Sequence, residues 1–186
     1  GLGLSEIDGQ PIEVPFTLPG EVAEVEVIHP KRKTAWGRLL SLENPSPLRG
    51  NPLCKHFGEC GGCVLQHLTA EAYRELKTNR IKDLLKAHGV VPQSWGEPHF
   101  IPPGKRRRID MAGRMDKGVL NLGFHNINSK RTFQIQECAV VHPRITALFE
   151  PLRTCLETIM SEGEKVHVFF TLASNGVDVL IAGIGR

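Results

Sequence analysis

Three of the chain's five cysteines fall within ten residues, as Cys54-Lys-His-Phe-Gly-Glu-Cys60-Gly-Gly-Cys63. No other feature constrains the fold as much. A chain that uses cysteine only to fill a core scatters it. Thiols crowded into one loop point instead to something soft held between them, and thiolates select iron–sulfur clusters, zinc or copper(I). Gly61 and Gly62 carry no Cβ, so the backbone can wrap tightly and aim N–H groups at metal-bound sulfur. A fourth ligand is needed, and Cys138, in Gln136-Glu-Cys-Ala-Val140, is the best candidate. Cys155 lies in a run of helical periodicity and reads as a small core hydrophobe rather than a ligand.

A disulfide framework does not suit the chain. The cysteine count is odd, no signal-peptide pattern opens the sequence, and 186 residues can build a core without staples. Zinc is the serious competitor. Structural zinc sites show two short pairs, whereas a compact triad plus one distant cysteine is closer to how four cysteines hold a cubane cluster. His56 and His67 are available as zinc ligands, so spacing favours the cluster without excluding zinc.

Residues 1–45 read as short strands: Pro11–Val14, then Glu21–Ile28 with partial alternation of valine and glutamate, then Trp36–Leu42. Lys31, Arg32 and Lys33 form a basic loop tip of the kind that small oligonucleotide-binding barrels use to touch phosphate. Residues 46–68 form a stiff linker and the cysteine loop. A helix is predicted from Thr69, a plausible N-cap, to His88, stopped by Gly89, with Tyr73, Leu76, Ile81, Leu84 and Leu85 as an apolar stripe. From Lys105 the pattern turns to β: Lys105–Met115, Leu120–Phe124 and Thr132–Ile135. One helix over Pro143–Met160 follows, then a hairpin of Val166–Leu172 and Val177–Ala182.

Lys105-Arg106-Arg107-Arg108 is the strongest cationic run. In a strand Arg106 and Arg108 would share one face and Lys105 and Arg107 the other. Arginine binds phosphate bidentately and stacks on bases, and Lys130 and Arg131 would extend the surface. A formal net charge of +3 and a pI near 8.7 suit nucleic acid. No apolar run is long enough to span a bilayer. The chain therefore reads as cytoplasmic.

The stretch Pro52-Leu-Cys-Lys-His-Phe-Gly-Glu-Cys-Gly-Gly-Cys-Val-Leu-Gln-His67 resembles the signature of the iron–sulfur-containing RNA 5-methyluridine methyltransferases. Leu18-Pro-Gly-Glu21, Gly37-Arg-Leu-Leu40 and Pro45-Ser-Pro47 resemble the family's TRAM domain. Lys105–Arg108, Leu122-Gly-Phe124 and Ile135-Gln-Glu-Cys138 resemble its central domain. The resemblance implies an α+β fold: a truncated OB-like TRAM barrel (1–45), linker and cluster loop (46–68), a helix and connector docking on a methyltransferase domain (69–104), and a mainly antiparallel central domain (105–186). It implies a [4Fe–4S] cluster on Cys54, Cys60, Cys63 and Cys138.

In such a family a cysteine thiolate adds to C6 of a uracil, and C5 then attacks the methyl group of S-adenosylmethionine. None of those catalytic parts is visible between residues 1 and 186, and no glycine-rich strand-to-helix turn is present. The expectation is a piece of a larger enzyme whose S-adenosylmethionine site lies elsewhere. Such a piece would be inactive alone and monomeric. Its RNA partner would be large-subunit ribosomal RNA rather than transfer RNA. The alternative is an RNA-binding module with a structural zinc site.

Overall fold

The structure, a computed structural model, describes residues 1–28, 33–127, 129 and 131–185. It divides into two compact units that interleave in sequence: Gly1–Leu53 with Cys63–His99, and Cys54–Gly62 with Phe100–Arg186.

The first unit contains strands β1 (Leu2–Ile7), β2 (Gln10–Pro15), β3 (Val22–Val27) and β4 (Ala35–Asn44), followed by helix α1 (Ala70–Ala87). The strands form one sheet in the order β1-β2-β4-β3. β2 and β4 run parallel through Ile12↔Ala35 and Glu13↔Trp36, and the other neighbours are antiparallel. β1 is absent from the expectations above. Its residues are almost all exposed, so it carries no alternating apolar signal; backbone pairing with β2 alone makes it a strand.

The buried core of this sheet is small: Ile12, Val14 and Ala35, with Val25 and Leu39 against it. Gly37 makes it possible. A Cβ there would stand 2.5 Å from the Val25 side chain and 2.9 Å from that of Val14.

A polar hub supplements this core. The buried Glu21 carboxylate accepts from the Leu18 and Ser46 N–H groups (2.7 and 3.0 Å) and from Arg49 Nε and Nη2 (2.7 and 2.6 Å). Arg49 also donates to the Phe16 carbonyl at 2.7 Å. The guanidinium holds the Glu21 carboxyl at about 2, far below its ordinary range. Beside it, burial pushes the His67 imidazole down to about 4, so the ring is neutral at pH 7.

Helix α1 starts as expected. The Thr69 side chain accepts from the Ala72 N–H at 3.2 Å, and Gly89 follows the last turn with a φ of 70°. Only Ala72 is buried along it; Leu76, Ile81 and Leu84 of the predicted stripe are exposed.

The second unit is a five-stranded antiparallel sheet in the order β7-β6-β5-β8-β9, built from β5 (Arg108–Asp116), β6 (Val119–His125), β7 (Thr132–Gln134), β8 (Lys165–Leu172) and β9 (Val177–Ala182). Alternation along β5 and β8 sends Ile109, Met111, Met115, Val166, Val168, Phe170 and Leu172 to one face. There they pack with Ile145, Phe149 and Leu156.

The predicted single helix over 143–160 is two helices, α2 (Pro143–Thr146) and α3 (Phe149–Ile159). Pro151 explains the break. It has no N–H to give the Ala147 carbonyl and its ring would collide with that carbonyl, but it is tolerated in the first turn of a new helix. The burial expected of Cys155 also fails. It is exposed, as is Ile159, because the buried side of α3 is set by Phe149, Arg153 and Leu156.

Candidate metal centre and cationic surface

The cysteine loop has no regular secondary structure, so its shape comes from specific hydrogen bonds. The His56 carbonyl accepts from the Glu59 and Cys60 N–H groups at 3.3 and 3.0 Å, folding the loop back on itself. Cys60 pairs with Asn126 just beyond β6, the Gly61 N–H donates to the His125 carbonyl at 2.8 Å, and the Ile127 N–H donates to the Glu59 carbonyl at 3.1 Å. This approach requires Gly61, where a Cβ would sit 2.8 Å from the His125 oxygen. The Gly62 N–H points at Cys60 Sγ at 3.5 Å, the backbone-to-sulfur contact that Gly61-Gly62 was expected to permit.

Cys138 lies on the segment after β7, which is tied at several points. Lys55, next to Cys54, pairs with Glu137, next to Cys138, at 3.2 Å. The Arg106 N–H donates to the Val140 carbonyl at 3.1 Å and the His142 N–H to the Arg106 carbonyl at 3.0 Å. Arg153 is buried on α3 and donates to the Ile135 carbonyl at 2.8 Å while pairing with Glu150. Sequence reasoning missed Arg153. Its only signal is a lone cation inside an otherwise apolar helix face.

Cys54, Cys60 and Cys138 thus belong to one unit, and Cys63 belongs to the other. Among the described residues no group of three or more His, Cys, Asp or Glu is gathered closely enough to hold a metal ion; a tetrahedral ion needs its donors roughly 4 Å apart. The chemistry of the donor set nevertheless fits a thiophilic group. Thiols stand at Cys54, Cys60 and Cys138, and an N–H is aimed at one of the sulfurs. His56 Nε2 and Asn126 Oδ1, both on this loop or its strand partner, are buried with no hydrogen-bond partner. Among the described residues the two histidines named as zinc alternatives are no more gathered than the cysteines: His56 rests edge-on against Phe133 and His67 against Phe16.

The basic run differs from the expected strand. β5 begins only at Arg108, because Lys105, Arg106 and Arg107 precede the point where pairing with β8 starts. The two-face division of the run therefore does not apply. Arg106 follows the Cys138 segment instead, and Arg107 spends its guanidinium on the Leu172 carbonyl (3.1 and 2.8 Å). Lys105, Arg106 and Arg108 are exposed, as are Arg131 and Lys33. Lys31, Arg32 and Lys130 lie outside the described residues. Phe124 is half-buried against the core.

The chain is 34% identical over 191 residues to the 23S rRNA (uracil(1939)-C(5))-methyltransferase RlmD of Shewanella frigidimarina, covering 95% of the chain and 40% of that protein. It is 33% identical over 180 residues to the enzyme of the same name from Photorhabdus laumondii, covering 95% of the chain and 41% of that protein. Both of these relatives are RNA (uracil-C5)-methyltransferases.

An uncharacterized RNA methyltransferase of Caulobacter vibrioides is 37% identical over 185 residues, covering 96% of the chain and 42% of the relative. Among solved structures, the tRNA (uracil-54, C5)-methyltransferase of Pyrococcus abyssi, in complex with S-adenosyl-L-homocysteine, matches with a TM-score of 0.57 and 27% identity. That match covers 91% of the chain and 40% of the archaeal protein. The chain therefore spans about two fifths of the length of the relatives it matches. No family model matches it. No helix among the described residues is long and apolar enough to cross a membrane.

Proposed function

We infer that this chain is the RNA-recognition and cluster-bearing part of an S-adenosylmethionine-dependent RNA (uracil-C5)-methyltransferase. The observation that carries this reading is the segment 135–142. Lys55–Glu137 ties it to the cysteine loop, and the Arg106 backbone bonds tie it to the basic run. A group that fixes Cys138 therefore also fixes the cations beside it.

On this reading Cys54, Cys60, Cys63 and Cys138 hold a [4Fe–4S] cluster. When bound, that cluster supplies a rigid crosslink with redox capability between two distant stretches of chain. Lys105, Arg106, Arg108 and Arg131, with Lys31, Arg32, Lys33 and Lys130, meet RNA phosphates, and Arg107 positions the run. The four-stranded sheet serves as the TRAM barrel. The exposed Leu76, Ile81 and Leu84 of α1 dock on the methyltransferase domain, which binds S-adenosylmethionine and does the chemistry. The chain alone is monomeric, cytoplasmic and inactive. Ribosomal RNA is the preferred substrate because two of the relatives are 23S rRNA enzymes; transfer RNA is the alternative that the Pyrococcus enzyme favours.

The test is iron, zinc and acid-labile sulfide on anaerobically purified protein beside Cys138→Ser. Four irons with matching sulfide, reduced in the variant, is the expected result. Stoichiometric zinc without sulfide would overturn the cluster and leave an RNA-binding zinc module.

A further inference from the structure

The helices cover one face of the five-stranded sheet and leave the other open. Alternation places Arg108, Asp110, Ala112 and Arg114 of β5 on the open face beside Thr171, Phe169, His167 and Lys165 of β8, with Leu180 of β9 opposite Phe169. Most of these side chains are ordinary solvated residues. Phe169 and Leu180 are not. They are 38% and 58% exposed, while Phe170, one residue along, is 1% exposed in the core. Phe169 and Leu180 are register partners, so they form a small paired apolar patch rather than two scattered side chains.

The geometry specifies the thickness of an occupant. The His167 and Phe169 rings stand two residues apart on β8, within 22° of parallel, with centroids 6.4 Å apart. Nucleobases stack at roughly 3.4 Å, so a base held between two rings needs roughly 6.8 Å. Two residues along a strand rise by about 6.6 Å, which makes this spacing a natural product of the pleat. The centroid spacing is therefore close to, and slightly under, what an inserted base requires.

The rim specifies its chemistry. Asp110 is the register partner of Phe169, and its carboxylate lies 3.7 Å from His167 Nδ1. An ionised carboxylate only accepts hydrogen bonds. It therefore suits the exocyclic amine of cytosine, whereas uracil presents the O4 acceptor at that position and only its N3–H as a donor. Arg108, one pairing position further along the face, is placed for a backbone phosphate. Asp116 and Asp178, at the ends of β5 and β9, keep the face as a whole from being a cationic patch, so the recognition is of a base more than of phosphate charge.

We propose that this open face holds one unpaired nucleobase between His167 and Phe169, with Asp110 reading an amino-bearing base edge. This rests on the RNA reading above and adds a base-recognition site continuous with the basic run through Arg108.

The test is fluorescence anisotropy of the 186-residue chain with short unpaired oligocytidine and oligouridine. Unchanged melting curves serve as the control for folding. The wild-type chain binds oligocytidine more tightly. Phe169→Leu keeps the apolar bulk but weakens binding roughly tenfold, the loss expected for one stacked base. Phe169→Trp retains binding. Asp110→Ala removes the preference for cytidine while leaving oligouridine affinity in place.

Wild-type affinity in Phe169→Leu, together with loss of RNA in a Lys105→Ala, Arg106→Ala double variant, would overturn the slot and leave the RNA reading intact. A wild-type chain that bound neither oligonucleotide would overturn the RNA reading and the slot with it.

Discussion

The second unit closes over fifteen buried apolar residues, among them the edge-to-face pair Phe149 and Phe170 with centroids 5.9 Å apart. The first closes over Ile12, Val14 and Ala35, with Val25 and Leu39 alongside, and gathers Glu21, Arg49 and His67 beside that sheet. Burial of apolar surface scales with area, so a sheet with so little of it has less to hold it together. In the first unit a network of charge-assisted bonds offsets that deficit by linking residues 16–21 to residues 46–49. The lesson is that one short chain holds an apolar unit that should respond weakly to pH and a polar unit that should respond strongly.

The largest expected effect tests the apolar half of this contrast. Phe149→Ala removes a fully buried ring from the second core and costs about 4 kcal/mol, read as a drop in denaturant midpoint by circular dichroism. Both tryptophans, Trp36 and Trp95, lie in the first unit, so tryptophan fluorescence follows that unit separately. The fluorescence transition stays in place on this account. An equal shift in both signals would show one cooperative body and break the comparison.

Next in size is the polar half. Glu21→Gln leaves Arg49 without its buried partner and costs about 3 kcal/mol, seen in the fluorescence transition. Acid acts the same way without a mutation. Both folded values lie below the ordinary ones, so each contribution is present at neutral pH and lost as pH falls. For His67 the loss runs from about 6.5 to about 4, and for Glu21 from about 4.5 to about 2. The fluorescence-detected midpoint therefore falls on acidification before the circular dichroism midpoint does, and Glu21→Gln abolishes the lower step. Coincident acid transitions would remove the contrast.

The smallest effect sharpens the picture within the first unit. Thr69→Ala removes the side-chain cap of α1 and costs about 1 kcal/mol in thermal stability. Thr69→Asn should restore most of it, because what matters is an acceptor for the Ala72 N–H.

Local rules were strongest where a single residue type decides the backbone. Thr69 and Gly89 bound α1 as read, because a cap acceptor and a glycine beyond the last turn act within one turn of helix. The alternation of β8 and β9 was legible because one face of each chooses the core. β1 was not legible, since an exposed edge strand has no burial pattern to display. The helix over 143–160 was read through Pro151 because apolar periodicity continues across it, and periodicity does not record a missing N–H.

The same boundary runs through the candidate site. The crowding of Cys54, Cys60 and Cys63 is legible in the sequence alone and is what points to a thiophilic group, because few other demands put three thiols within ten residues. Sequence also singled out Cys138 and the run Lys105–Arg108. Only the tertiary structure decided that Glu137 reaches Lys55, that the Arg106 backbone follows residues 140–142, and that the guanidinium of Arg107 is spent on a carbonyl 65 positions away. Likewise, alternation made His167 and Phe169 neighbours on one strand face, but the core behind Phe170 and the register with β5 were needed to leave their rings parallel, uncovered and beside Asp110. Composition and spacing act through near neighbours in the chain; which distant partner completes a site is set by sheet order and register.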